Sequence, residues 1–433
     1  MKELEKKKNH WSWIPTLYFA QGLPYVAVMT IAVIMYKRLG LSNTDIALYT
    51  SWLYLPWVIK PLWSPFVDIV KTKRWWIITM QGLVAAAFAS IAFFIPTSNY
   101  VQITLAFFWL MAFSSATHDI AADGFYMLAL KTGEQSFFVG IRNTFYRLAN
   151  ITGQGLLVMF AGALEDGIIH PSTKGNIPVA WSMTFYLLAA LFIGFTIYHF
   201  IVLPKPKDDS KENETVNAKN LIKEFWLTFV SYFKKKNIGL ALFFLLSYRL
   251  GESQLAKIAS PFLLDKTSSG GLGLSTSTVG LAYGTIGVAA LLLGGILGGL
   301  LVSKNGFKKW IIPMALAINI PDLLYVYMAH TQLQSIPMIV GAVALEQLGY
   351  GFGFTAYMLF LIYVADGPHK TAHYAIGTGF MALGMMLPGM AAGIIEEWLG
   401  YTNFFWWVCA WTLPGIYASY LVYRKIEPEF GKK

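Results

Sequence analysis

The chain has 433 residues, 56% of them hydrophobic and only 13% charged. Soluble domains carry about 25% charged residues, so this composition excludes an ordinary soluble fold. The formal net charge is +10, but the basic residues sit in short loops between apolar runs, which makes them a topology signal and not a nucleic-acid surface. The lone cysteine, Cys409, lies inside an apolar run, so it forms no intrachain disulfide and has no metal-ligand spacing.

Apolar runs of about 20 residues recur along the chain, each long enough to cross ~30 Å of hydrocarbon. The predicted spans are 13–36, 44–63, 75–95, 101–129, 137–163, 180–203, 238–264, 277–302, 309–329, 336–365, 371–395 and 402–423. The first has no small-residue cleavage site and reads as a span, not a signal peptide. The 38 glycines suit helices that pack closely without a hydrophobic drive between them. An even number of spans puts both ends on one side. On that side fall Lys2, Lys6, Lys7, Lys8, Lys71, Lys73, Arg74, Lys131, Lys304, Lys308, Lys309, Lys370 and the C-terminal cluster Arg424, Lys425, Lys432 and Lys433, with the basic linker. The opposite loops hold only Lys37, Arg38, Lys174 and Lys266. Both termini are therefore expected in the cytoplasm. The expected organisation is an N-terminal six-helix half, 1–203, a polar cytoplasmic linker, 204–237, and a C-terminal six-helix half, 238–433. Within the linker, 218–235 has the pattern of a short amphipathic surface helix.

The halves carry a weak repeat. After span eight the chain reads Gly299-Leu-Leu-Val-Ser303-Lys304-Asn-Gly306-Phe-Lys308-Lys309. This is similar to the G-x-x-x-D-x-x-G-basic-basic loop of the major facilitator superfamily, with Ser303 at the acidic position. After span two, Asp68 is followed by Lys71, Lys73 and Arg74. Asp68 and Arg74, with Lys60 nearby, suit a cytoplasmic gate closed by charge-assisted hydrogen bonds; plain positive-inside charge is the alternative. Lys60 either snorkels, pairs with Asp68 or contacts substrate. Two similar six-helix halves are what rocking-type alternating access requires.

Ionisable groups deep in a bilayer are costly and face a cavity or a partner. Asp119 and Asp123 in span four share one helix face; two carboxylates that close repel, so one can take up and release a proton in a transport cycle. The alternative is a pair of ionised struts held by arginines. His118 reads as a hydrogen-bonded packing residue. In span five, Asn143, Arg147, Asn150 and Gln154 form a polar stripe, while Arg142 sits near the cytoplasmic end. Counted at 1.5 Å per residue, Asp119 lies ~18 Å, Asp123 ~12 Å, Arg147 ~15 Å and Arg249 ~16 Å deep. An Arg147–aspartate pair is thus expected. Arg249 and Glu252 are three apart and can pair on their own helix. Either arginine suits a substrate carboxylate. Span one has Gln21 before a Gly22-Leu-Pro24 kink, and span ten carries Glu346, Gln347 and Tyr357. The candidate set is Asp119, Asp123 and Glu252 for protons, and Gln21, Arg147, Asn150, Arg249, Glu346 and Tyr357 for substrate, with aromatics suited to stacking on sugar rings.

Five segments in order resemble the AmpG-like muropeptide permeases, the branch of the major facilitator superfamily grouped with acetyl-CoA transporters. They are Tyr18-Phe-Ala-Gln-Gly-Leu-Pro24, Leu55-Pro56 through Lys60 and Trp63 to Asp68, His118-Asp119-Ile-Ala-Ala-Asp123, Tyr146-Arg147-Leu, and Tyr248-Arg249-Leu-Gly251-Glu252. The resemblance implies the twelve-helix major facilitator fold and proton-coupled import of peptidoglycan fragments across a bacterial inner membrane. It gives Asp119 and Asp123 the key acidic role, and Arg147 and Glu252 polar cavity positions. It implies a small glycan or glycopeptide substrate, a monomer, and no cofactor. His118 replaces the family's glutamine, and Gly124-Phe-Tyr-Met-Leu128 lacks the charges common there, so a related amino sugar or other sugar remains an alternative. A drug efflux pump would want a larger apolar cavity. A membrane enzyme would leave the two-half repeat unexplained, and a sensor would leave the buried charges unexplained.

Overall fold

The computed structural model describes residues 9–130, 132–206, 218–367 and 369–432. The N-terminal lysines, Lys131 and linker residues 207–217 lie outside them, as does the side chain of Asp68. Every described element is helical, the one open-ended backbone arrangement that satisfies its own N–H and C=O groups in hydrocarbon. The helices form twelve spans. Span one is His10–Arg38, span two 43–69, span three Lys73–Phe94, span four Tyr100–Ala129, span five 132–165 and span six Ile177–Val202. Span seven is 238–264, span eight Thr276–Asn305, span nine Phe307–Thr331, span ten Ile336–Ala365, span eleven 370–399 and span twelve 401–423. A separate helix, Ala218–Phe233, precedes span seven.

Local chemistry sets the helix starts. The side chains of Ser42, Thr72, Asn176 and Ser275 accept from the backbone N–H groups of Asp45, Trp75, Val179 and Thr278, satisfying donors that a helix N-terminus leaves open. Several spans are interrupted midway. Span one loosens into a π-helical turn, Ala27–Ile31, just after Pro24. Span five does so at Thr152–Leu157 and span eight at Gly280–Gly287. Span seven breaks at Arg249 (φ −112°, ψ 23°), and span nine breaks at the Ile320–Asp322 turn around Pro321. Such breaks recur where backbone lines a functional cavity.

Call the side that carries the chain ends and the linker the terminal face, and the other side the distal face. The apolar packing differs between them. One large cluster joins both sets of six spans, uniting Ile34, Phe88 and Ile91 with Phe262, Tyr325 and Phe405 near the distal ends. Toward the terminal face the packing divides. Trp13, Leu17, Phe125 and Leu203 form a cluster within the first set, and Phe244, Phe307, Met314 and Val422 form another within the second. The two sets are therefore welded distally and part toward the terminal face. Spans five and eight make the closest distal crossing: a Cβ on Gly284 would collide with the backbone of Gln154 and Gly155. The outer faces of spans six and eight expose Ile197, Phe200, Leu293 and Leu300, as lipid contact requires. On the linker helix Trp226 and Leu227 are exposed while Tyr232 is buried, stacked 6.3 Å from the ring of Phe380.

Spans eleven and twelve are joined through Gly400, at φ 72° and ψ 161°, a region that residues with a Cβ occupy at a cost of about 1–3 kcal/mol. Gly400→Ala is expected to lower the thermal unfolding temperature in detergent without changing helix content by circular dichroism. An unfolding temperature equal to that of the parent would contradict the requirement.

Candidate functional site

The interruptions in spans one and seven bring polar groups to the space between the two sets. On the wall of the first set, the Asp119 carboxylate accepts from Trp57 Nε1 at 3.2 Å and lies 3.9 Å from Lys60 Nζ, with Gln21 as a further hydrogen-bond partner. Tyr25 packs edge-on against Trp57, ring centroids 5.2 Å apart. One turn toward the terminal face, Asp123 pairs with Arg142 at 3.2 Å and accepts from Tyr18 Oη at 3.4 Å. Arg142 also donates to Tyr18 Oη and lies over the rings of Tyr18 and Tyr126, 4.7 and 5.0 Å from their centroids. The Asp123 side chain is 45% exposed and that of Asp119 16%, so the opening widens toward the terminal face.

On the opposing wall, Arg249 donates to Tyr350 Oη at 2.5 Å and sits 5.1 and 5.0 Å from the ring centroids of Tyr350 and Phe354. Tyr25 and Tyr54 of the first set lie within its electrostatic reach. Lys257, buried, crosses between the sets to donate to Thr50 Oγ1 at 3.0 Å, its ammonium 5.0 Å from the Tyr54 centroid. These groups meet at mid-depth between the two sets, a carboxylate on one side, a guanidinium on the other and tyrosines between them, and the space they border is called the chamber below.

The distal end of this chamber is shut by polar contacts between the sets. Lys37 pairs with Asp265 at 2.6 Å, which also accepts from Tyr401 Oη at 2.5 Å. Asn43 donates to Glu396 at 2.7 Å and to Tyr401 at 2.8 Å. Thr44 donates twice to Glu397, through its N–H at 3.1 Å and its hydroxyl at 2.6 Å. Glu165 gathers Arg38 at 2.9 Å, Trp181 at 2.8 Å and, from the other set, Thr276 at 2.7 Å.

Several expected roles change. The arginine that meets the span-four acids is Arg142; Arg147 forms no ion pair among the described residues and lies beside Gly295 of span eight, its side chain exposed. Arg142 wins because the faces of Tyr18 and Tyr126 hold its guanidinium beside Asp123. Lys60 turns to Asp119. Arg74 donates to the carbonyls of Phe200 and Leu203 at the end of span six, a helix C-terminus that attracts cations; the expected gate contact with Asp68 lies outside the described residues. Tyr357 is fully buried and spends its hydroxyl on the Leu245 carbonyl at 2.7 Å, which removes it from the open wall. Arg249 and Glu252 form no ion pair, because Arg249 sits in the helix break and turns to Tyr350. Glu346 is buried and accepts from Gln347 at 3.0 Å. Asn150 has a buried, unpartnered Oδ1. His118 is the packing residue it resembles, joined through Gln81 to His199 and Thr16.

The sequence reading passed over Lys37, Glu165, Asp265 and Glu396, which read as loop or span-end residues until the fold aligns them. It also passed over Asp322, although an acid beside Pro321 inside a span is the same signal that singled out Asp119.

Residues 16–251 match the Major Facilitator Superfamily profile. Among curated proteins, the chain is 25% identical over 436 residues to "Putative transporter AmpG 4" of Rickettsia conorii, covering 95% of this chain and 96% of that one. It is 24% identical over 423 residues to "Anhydromuropeptide permease" of Escherichia coli K12, covering 95% of this chain and 79% of that one. Among solved structures, the fold resembles a D-xylose-proton symporter, with a TM-score of 0.74 at 12% identity, covering 98% of this chain and 99% of the other. It also resembles the nucleoside transporter NupG, with a TM-score of 0.69 at 15% identity, covering 96% and 98%.

The distal contacts predict a measurable bias. Ser51 is fully buried behind them, against span eleven. In a Ser51→Cys, Cys409→Ala background, Asp265→Asn is expected to speed labelling by a membrane-impermeant thiol reagent about tenfold, since one charge-assisted bond contributes about 1.5–3 kcal/mol. An unchanged labelling rate would contradict the closure.

Proposed function

Because the chain belongs to the major facilitator superfamily, a family of secondary transporters and not of enzymes, we propose that it imports a glycan-containing solute, an anhydromuropeptide or related amino sugar, across a bacterial inner membrane together with protons. Both termini and the linker are then cytoplasmic, the terminal face is the cytoplasmic one, and the distal face is periplasmic. The conformation described above is the inward-open member of an alternating pair, closed outside by the Lys37–Asp265 and Asn43–Glu396 contacts.

The observation that carries this reading is the chamber. Tyr25, Trp57, Tyr54 and Tyr350 supply flat aromatic faces between an acid and an arginine. An amino-sugar glycan offers apolar ring faces for stacking, and its muramyl carboxylate suits Arg249, whose planar fork binds carboxylates in bidentate fashion. The relatives named as AmpG transporters and anhydromuropeptide permeases support the same solute class. Asp119 is the coupling acid: its partners are a tryptophan N–H, a glutamine and a lysine at 3.9 Å, a set loose enough to let a proton on and off. Asp123 is held by Arg142 and is wet, so it guides protons and solute at the cytoplasmic mouth. One charge moving through 100 mV supplies about 2.3 kcal/mol, enough to sustain accumulation.

The test is uptake of labelled anhydromuropeptide into proteoliposomes under an imposed pH gradient. Wild type is expected to accumulate the label and to release it on addition of a protonophore. Asp119→Asn is expected to lose at least about tenfold of gradient-driven uptake, the scale of one coupled proton per pH unit, while Asp123→Asn weakens uptake less. Wild-type accumulation by Asp119→Asn would remove that residue from coupling. Gradient-driven accumulation of a labelled plain sugar, with none of the muropeptide, would move the substrate to the sugar class.

A further inference from the structure

The second set of spans buries acids that the chamber does not use. Asp322 is 1% exposed, and neither of its carboxyl oxygens has a hydrogen-bond partner. It sits in the Ile320–Asp322 turn that interrupts span nine, about 22 Å from the span's terminal-face end at 1.5 Å per residue, and so near mid-membrane. Its neighbour Asn319 uses Nδ2 on the Ala315 carbonyl at 2.7 Å and leaves a buried Oδ1 unpartnered. Two more acids face Asp322: Glu252 of span seven, with an unpartnered buried Oε2, and Glu346 of span ten, which accepts from Gln347. The hydroxyls of Tyr283 and Tyr325 meet at 3.0 Å and border Glu346. The remaining titratable group in reach is Cys409, on span twelve. The cation of this group is Arg249, beside Glu252 and committed to Tyr350.

An ionised carboxylate without a single donor, in hydrocarbon, costs several kcal/mol, and although Asp322 stands at the start of the helix Leu323–Thr331, it makes no side-chain cap bond there. Three acids facing one arginine cannot all be ionised together. A bound proton removes the charge of Asp322 without any further ligand, which suits a carboxyl whose two oxygens have no partner. We propose that Asp322 is a second proton-binding site, in the second set of spans, filled in the inward-open conformation and connected to the chamber through Glu252. Glu252 stands one turn from the Arg249 break, on the chamber side, so a proton reaching Asp322 passes a residue that also senses the solute. The site is separate from Asp119, which belongs to the other set of spans. It rests on the proton-coupled reading above.

Infrared pH-difference spectra of the purified protein in lipid test the site without any substrate. Asp322→Asn is expected to delete one carbonyl-stretch band of a protonated carboxylic acid, and Asp322→Glu to restore one at shifted frequency. A band set unchanged by both substitutions overturns the proposal. If the asparagine variant fails to fold, the glutamate variant decides alone: a moved band supports the site, an unmoved set overturns it. In proteoliposomes, Asp322→Asn is expected to keep solute exchange at equal pH near the parent rate, while accumulation driven by one pH unit falls about tenfold, the share of one proton. Full accumulation by this variant also overturns the proposal. Should the wild type accumulate no muropeptide, the substrate reading fails, and the spectra still decide the site.

Discussion

A charge inside a bilayer must be paired, wetted or neutralised, and the placement of charges in this protein follows from that constraint. Asp123 is paired and wetted, with Arg142 against it and nearly half its side chain exposed. Asp119 is held by a tryptophan, a glutamine and a lysine. Lys257 has a threonine hydroxyl and the face of Tyr54. Arg249 has Tyr350 and two aromatic faces. Each solution requires a neighbour from another span, so the charges also fix which helices meet. The interruptions of spans one, seven and nine serve the same end, since they place Asp119's partner Gln21, Arg249 and Asp322 near kinks where the helix ladder is already broken.

The division of the apolar packing gives these charges a direction. A cluster shared by both sets lies toward the distal ends, while separate clusters hold each set together toward the terminal face. Hydrogen-bonded and ionic contacts, from Lys37–Asp265 to Thr44–Glu397, add to the shared side. Apolar contact alone would give a broad, graded preference; directional bonds that break together give two distinct arrangements. A carrier needs that bistability, because its solute must meet one open face at a time.

Much of the fold was legible in the chain. Hydropathy and loop charge gave twelve spans whose extents agree with the helices to within a few residues for most, because a bilayer imposes one length on every crossing. The motif resemblance pointed to the superfamily that the comparison over residues 16–251 establishes. The site was legible in composition but not in pairing. Counting 1.5 Å per residue gives a depth and no azimuth, which is why Arg147 stood in for Arg142 in the expected pair with the aspartates. The two are five residues apart and point to different sides of their helix, and only the fold reveals that Tyr18 and Tyr126 cradle the nearer one. Tyr357 looked like a sugar-stacking aromatic because its sequence neighbours are glycines and polar residues; in the fold its ring packs against Phe244 and Tyr248 of span seven and its hydroxyl meets the Leu245 carbonyl. The distal contacts were invisible for a different reason. Asp265, Glu396 and Lys37 lie at span ends, where a charge needs no special explanation until two ends are seen to face each other.

Transport through this fold requires that the two sets of spans exchange closure between the distal and terminal faces around the charged chamber. Spin-label distances measure this directly, with one pair at the exposed distal positions Ser42 and Asn403 and another at the exposed terminal-face positions Lys71 and Lys370. Two populations are expected in each pair, shifting in opposite senses when solute or acid is added: the distal distance lengthens as the terminal distance shortens. A single distance in both pairs under all conditions, or two that lengthen and shorten together, would contradict that exchange.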